Sequence, residues 1–355
     1  MPRELHREDI APLGRGYALL GSGGGGSPHI LELALGNASI WPLPVHGVDE
    51  VPSETPCMAI AYAGSTLLLG ERLPDEAPFA VAISAAERWL GHPIPAVCSL
   101  EAGGMNGLAC LPLAKDRIFV DADLMGRALP DFNQISVLAD AIPGIVAACP
   151  TGGGGVMVID SARPEDFEHV IRTALTRAGG WAGVVIAGFT VGDLVEHSIV
   201  GVHAAARNLG ETYLRCRSKP LPELAAALGA ALVAVGRVSA LQAHEDDPRI
   251  VSIDVRSPSG DVVRLIARSE LLACMRNGVV EAAAPTVIVA VDARTRDILQ
   301  VHQLTPGQDI AVLALPAPAW WISNPTRLAR VSPDYFGLHG LDTGLMALAN
   351  EGCGV

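Results

Sequence analysis

Residues 19–30 read LLGSGGGGSPHI, and the division of the whole chain turns on what this stretch is. As a flexible spacer it would join two self-sufficient domains. It begins only about twenty residues into the chain, however, and that is too little to form a domain by itself. The run therefore belongs inside a fold. On its far side, SPHILELALG offers Ser27 as N-cap, Pro28 at the first helical position and Gly36 as a stop. The expectation is a glycine loop feeding a helix N-terminus, where unpaired N–H groups and the positive end of a helix dipole favour a carboxylate, a phosphate or a carbonyl oxygen. Ser22, Gly23, Gly24, Gly25 and Gly26 are accordingly expected to bind ligand. No lysine follows as a P-loop requires, and a G-x-G-x-x-G match is trivial in a run of glycines. The run gives no specific sign of a nucleotide.

Outward from this loop, the first half alternates strand-like and helix-like segments: strands at 57–63, 94–101 and 117–123, with helices at 77–91 and 106–115. Further on, 155–160 reads as a strand, 164–180 as a helix and 181–189 as a strand. Thr190, with Asp193 three residues on, opens a helix expected to run to Gly210. After a short helix at 221–229 the character changes to closely spaced strand-like segments, 261–275 read as one of them, with SPSG at 257–260 as a hairpin turn. The expected fold is α/β of the multi-domain α+β kind. Residues 1–167 form an N-terminal α/β domain with β/α alternation, carrying the glycine loop and the acidic motifs. Residues 168–355 form a C-terminal domain that starts helical and becomes β-rich.

Composition limits the function classes. Half of the 355 residues are apolar, 18% are charged and the net charge is −13, with no basic run. This is the profile of a compact, well-buried chain and a poor partner for nucleic acid or an anionic membrane surface. Its most apolar stretch, 224–236, is shorter than the roughly 18 residues a span needs. A cytoplasmic homo-oligomer acting on a small molecule is expected. The seven cysteines form no C-x-x-C pair, so neither a disulfide framework nor a thiolate zinc site is indicated.

Chemistry concentrates in SLEAGGMNG (99–107) and VDADLMGRALPDFNQ (120–134), both at the C-terminal ends of predicted strands, the edge where open α/β sheets bind ligands. Glu101 leaves one strand there. Asp121 and Asp123 leave the next on a common side. Three converging carboxylates repel one another, and a shared proton, a cation such as Arg127 or a divalent metal (zinc, magnesium or manganese) would offset that. Asp121 or Asp123 could equally cap the following helix. The second glycine run, CPTGGGGVMVID (149–160), reads as a tight connection near the same crevice or as a mobile loop. Trp320, Trp321, Tyr335 and Phe336 read as core or interface.

LGSGGGGSP, EAGGMN and VDADLMGRALPDFNQ, in that order and at these intervals, together with GRVSAL (236–241) and VSPDYFG (331–337), resemble the S-methyl thiohydantoin desulfurase family. That family was long carried as one of unknown function beside hydantoinase and oxoprolinase subunits. The resemblance implies hydrolysis at ring carbon C2 of an S-methylated thiohydantoin, releasing methanethiol and leaving a hydantoin. Glu101 or Asp123 would deprotonate water. The N–H groups of residues 23–26 and the amides of Asn106 and Gln134 would hold the ring oxygen or a substituent carboxylate, and Arg127 would pair with that carboxylate. The competing expectation is an accessory subunit that binds a hydantoin-like ligand beside a hydantoinase-type, ATP-dependent partner.

Overall fold

A computed structural model describes residues 3–65, 68 and 78–341. Cys353, the start of the predicted helix at Ala77 and the two chain ends of the predicted domains lie outside the described residues. A two-stranded ribbon, β1 (Arg3–Leu5) with β2 (Leu43–Val45), precedes two larger sheets.

The first sheet is mixed. It contains β3 (Pro56–Gly64), β4 (Ala96–Ser99), β5 (Ile118–Asp123), β6 (Val146–Gly152), β7 (Gly155–Asp160), β8 (Trp181–Thr190) and β9 (Ile199–Val200), in the order β7-β6-β8-β3-β4-β5-β9. Its centre, β3-β4-β5, is parallel and the remaining pairings are antiparallel. The central strands are near-continuous apolar runs because both faces are covered. Along β3, Met58 and Ile60 enter one core while Cys57, Ala59 and Ala61 enter the other. Each large aliphatic side chain fully buried this way contributes about 1.5–3 kcal/mol.

The second sheet is antiparallel and eight-stranded. It contains β10 (Ala231–Ala243), β11 (Val251–Arg256), β12 (Val262–Arg268), β13 (Glu270–Arg276), β14 (Val279–Ala283), β15 (Val287–Asp292), β16 (Ile298–Leu299) and β17 (Asp309–Leu315), in the order β14-β13-β12-β11-β10-β17-β15-β16. Period-two alternation splits β17: Ile310 and Val312 face one core, while Ala311, Leu313 and Leu315 face another that also takes Leu19 and Tyr213 from the first helix and the helix Val202–Cys216. The fold class is therefore the expected one, a mixed α/β sheet followed by an antiparallel one, and β8 and β9, past residue 167, pair into the first sheet. The six described cysteines are all buried and unbridged.

Three local expectations change. The helix begun by the Thr190–Asp193 capping box ends at His197, and Ile199–Val200 pairs with Ala122–Asp123 before a new helix starts at Val202. Two β-branched residues and Gly201, at φ 74°, favour that interruption. The single strand-like segment 261–275 is in fact two strands, turned at Ser269 with φ 65°. The second glycine run closes the β6–β7 hairpin: Gly152 pairs with Gly155, leaving Gly153 and Gly154, both at positive φ, as its two-residue turn. It is a tight connection, but none of its residues lines the crevice described next.

Candidate active site

Because β3, β4 and β5 are parallel, their C-terminal ends reach one edge. A cavity of about 530 Å³ lies there, closed on the opposite side by the antiparallel sheet. Gly23, Gly24 and Gly25 form part of its wall, with Tyr62 and Glu101 from the first sheet and Glu270 and Val301 from the second. The glycine loop and the acidic strand end thus share one hollow.

The loop is held by the second sheet through backbone bonds. Leu271 N–H donates to the Ser22 carbonyl and Val301 N–H to the Gly23 carbonyl, each at 2.8 Å. The Ser22 hydroxyl donates to the Ile288 carbonyl at 2.7 Å and accepts from the Ile288 N–H at 3.1 Å. Ser22 and Gly26 therefore do not line the cavity: Ser22 fastens the loop to β15, and the Gly26 carbonyl accepts from Met105 N–H. The helix expected to follow directly begins at His29. Its first turn lines no part of the cavity, so the ligand-facing feature is the loop backbone and not a helix dipole.

Glu101 is 8% exposed. The Asn106 side chain clamps the end of β3, accepting from Tyr62 N–H and donating to the Tyr62 carbonyl, and it leans on Glu101 Oε1 at 3.5 Å. Burial first, then the charges of Glu270 and Asp123, raise the Glu101 carboxyl well above the usual carboxylate range, with Asn106 and Arg127 opposing.

Glu270, 5% exposed, was missed in the sequence. It is the first residue of β13, directly after the left-handed Ser269, which also lines the cavity. Such backbone is uncommon for a residue other than glycine. Burial pushes the Glu270 carboxyl up to about 7 against the pull of Arg127. Its Oε2 is buried and has no hydrogen-bond partner among the described residues. A methyl group on Gly24 would lie 2.1 Å from Glu270 Oε1, and one on Gly25 would lie 2.8 Å from Glu101 Oε1. Adjacent glycines thus give two carboxylates from different sheets their room.

The other expected residues have different tasks. Asp123, fully buried, accepts from the N–H groups of Met125 and Gly126, while burial lifts its carboxyl to about 7. Asp121 accepts the His203 N–H at 2.8 Å, at the start of the helix Val202–Cys216. Neither aspartate lines the cavity. Glu101, Asp121 and Asp123 form no ligand set, and among the described residues no group of three His, Cys, Asp or Glu side chains is arranged to hold a metal ion.

Arg127 is fully buried and donates to the carbonyls of Ala128, Thr286 and Leu271 at 2.9, 2.6 and 3.2 Å. Burial lowers its guanidinium to about 10. Three of its five donors are on backbone oxygens and it does not line the cavity, so it offers no fork to a substrate carboxylate there; it ties the two sheets and places one positive charge behind Glu101 and Glu270. Gln134 is likewise committed, accepting from Asp131 N–H and donating to the Arg330 carbonyl. A buried amide that lacked such partners would cost about 1–3 kcal/mol. Trp321, fully buried, donates to the Met125 carbonyl, and none of the four late aromatics lines the cavity.

Among the described residues no helix is long and apolar enough to cross a membrane. The chain superposes on the crystal structure of a protein from Chromobacterium violaceum with a TM-score of 0.78 and 22% identity, over 96% of this chain and 98% of that one; at that identity the likeness establishes a shared fold. Comparison with curated proteins finds no match. Two family models, described as S-Me-THD-like, N-terminal domain and S-Me-THD-like, C-terminal domain, match residues 8–161 and 162–343. The chain therefore belongs to the S-Me-THD-like family.

Proposed function

We propose that the cavity hydrolyses an S-methylated thiohydantoin or a closely related cyclic amidine, releasing a thiol and leaving the cyclic imide. The observation that carries this reading is Glu101: a buried carboxylate at the C-terminal edge of the parallel strands, in a cavity it shares with the glycine loop, within a chain of this family.

A five-membered ring with a substituent fits a site of this size, since ligand pockets commonly span about 300–1,000 Å³. The reaction needs water deprotonated beside an electrophilic carbon and a proton returned to the leaving group or ring nitrogen. A carboxylate whose proton affinity burial has raised is, once ionised, a stronger base than one in water. The loop backbone supplies the second requirement. Among the described residues no acceptor takes the N–H of Gly23 or Gly25, so these groups are available to an oxygen that gains negative charge at the tetrahedral stage. The apolar wall of Leu100, Met105, Leu129 and Leu304 limits competing water.

The test is direct. Purified protein incubated with 2-methylthio-hydantoins should release methanethiol, captured by a thiol reagent, in step with hydantoin detected by mass spectrometry. Glu101→Gln should lower that rate by a factor of about 10²–10⁴. Stoichiometric binding of the ring with no thiol released would instead favour the accessory-subunit reading.

A further inference from the structure

We propose that Glu270 is the second catalytic residue of this site, and that Glu101 and Glu270, one from each sheet, work as a carboxyl pair holding a single proton. The proposal rests on the hydrolase reading and identifies what that reading leaves open, the group that supplies the proton.

Three observations carry it. Both side chains line the same cavity. Their Oε1 atoms lean on consecutive residues of the glycine loop, Glu270 on Gly24 and Glu101 on Gly25, so a small ring lying on that loop meets both. Glu270 Oε2 is buried without a partner, and a carboxyl oxygen with no structural bond to make is free to exchange a proton with a ligand.

The charges around the pair agree. Arg127 stands behind both carboxyls, Asp123 adds its field to Glu101, and Arg172 and Asp131 act on Glu270 with opposite signs. The Asp131 charge is further offset by Arg268 at 2.6 Å and by Arg172 at 3.9 Å. Two ionised glutamates beside one buried guanidinium would leave an unbalanced negative charge in a buried site; one shared proton balances the two glutamates against Arg127.

The pair balances the reaction. The proton exchanges between the two carboxyls, and the reactive tautomer carries it on Glu270; in the first step ionised Glu101 takes a proton from water as the water oxygen bonds to C2. The C2=N π pair moves to the ring nitrogen, which takes the proton of Glu270. In the second step ionised Glu270 takes the proton of the new hydroxyl as C2=O forms. The C2–S bond breaks with its electron pair on sulfur, and sulfur takes the proton held by Glu101. Methanethiol and hydantoin leave, and the pair returns to its starting form with one proton on Glu270.

The test uses full-length Glu101→Gln, Glu270→Gln and the double variant, read in two ways. Infrared difference spectra, native minus variant, of the ligand-free protein at neutral pH, in which the common Asp123 carboxyl cancels, should show one carboxylic-acid C=O band that is lost in either single variant, with no further loss in the double. Kinetically, kcat/KM of the native protein on a 2-methylthio-hydantoin should be bell-shaped in pH. Glu270→Gln should lose the alkaline limb and about 10²-fold in rate, whereas a residue that merely supports the fold would scale the bell and leave its shape. A band that survives in Glu270→Gln, or an unchanged bell in that variant, overturns the pair. If the native protein releases no thiol, the hydrolase reading fails, and the infrared result still decides whether the shared proton exists.

Discussion

The chain contains two glycine runs of nearly the same composition, and they do unlike work. In the run at 152–155, Gly153 and Gly154 take positive φ at a hairpin tip, and a methyl group on either would meet nothing within 4 Å. There glycine answers only a backbone requirement. In the run at 21–26, positive φ at Ser22, Gly23, Gly25 and Gly26 is joined by contact. Carboxylate oxygens occupy the space where side chains of residues 24 and 25 would be, and the second sheet grips the loop through Ser22 and Gly23. Glycine is chosen at the tip for what the chain must do, and at the cavity for what must come close to it.

The comparison is broken most severely by removing the clamp around the first run. Arg127→Met strips three carbonyls of their donor and leaves the buried, singly charged carboxyl pair without a countercharge. Denaturant unfolding should register a loss of roughly 3–5 kcal/mol, and no substitution in the second run should approach it. Gly24→Ala comes next. Its methyl group would displace the Glu270 carboxylate, and a shift of about 1 Å at a catalytic group is expected to lower kcat/KM for ring hydrolysis roughly 100-fold with the fold retained.

Glu270→Gln separates function from stability. The native carboxyl titrates near 7 instead of near 4.5, so between those values the folded state binds more protons than the unfolded one, and native stability falls as pH rises through that window. Glutamine removes this liability. The variant should gain roughly 2–3 kcal/mol over the native protein at pH 8, and the gain should vanish near pH 4.5, as thermal melts at the two values will show. A variant less stable than native at pH 8 would mean that Glu270 carries a structural bond. The smallest effect belongs to the hairpin: Gly154→Ala should cost about 1–2 kcal/mol for left-handed backbone and leave turnover unchanged.

What could be read in advance follows the range of the interactions. The alternation along β3 to β8, the capping box at Thr190 and the SPSG turn are local patterns, and each is present. Glu101 was legible because a carboxylate follows an apolar strand and precedes two glycines. Asp121 and Asp123 carried the same signal with a different meaning, because both spend themselves on backbone N–H groups, an outcome set by the three-dimensional path of the chain after β5.

Glu270 had no comparable local mark. It stands in ARSELLACM, where nothing in Ser269 announces a left-handed turn, and its partner is far away in sequence. The strongest available sign was an acidic residue interrupting an otherwise apolar segment. Arg127 shows both outcomes: the countercharge the sequence offered is what it supplies to Glu101, while the fork for a substrate carboxylate is spent on the carbonyls of Leu271 and Thr286 in the other domain.

A crystal structure with a non-reactive hydantoin bound tests the central claim most directly. The account predicts the ring on the first glycine run, with polar ring atoms within about 3.2 Å of carboxylate oxygens of both Glu101 and Glu270, the ordinary reach of a hydrogen bond. A ring ordered elsewhere, or one touching neither carboxylate, would contradict it.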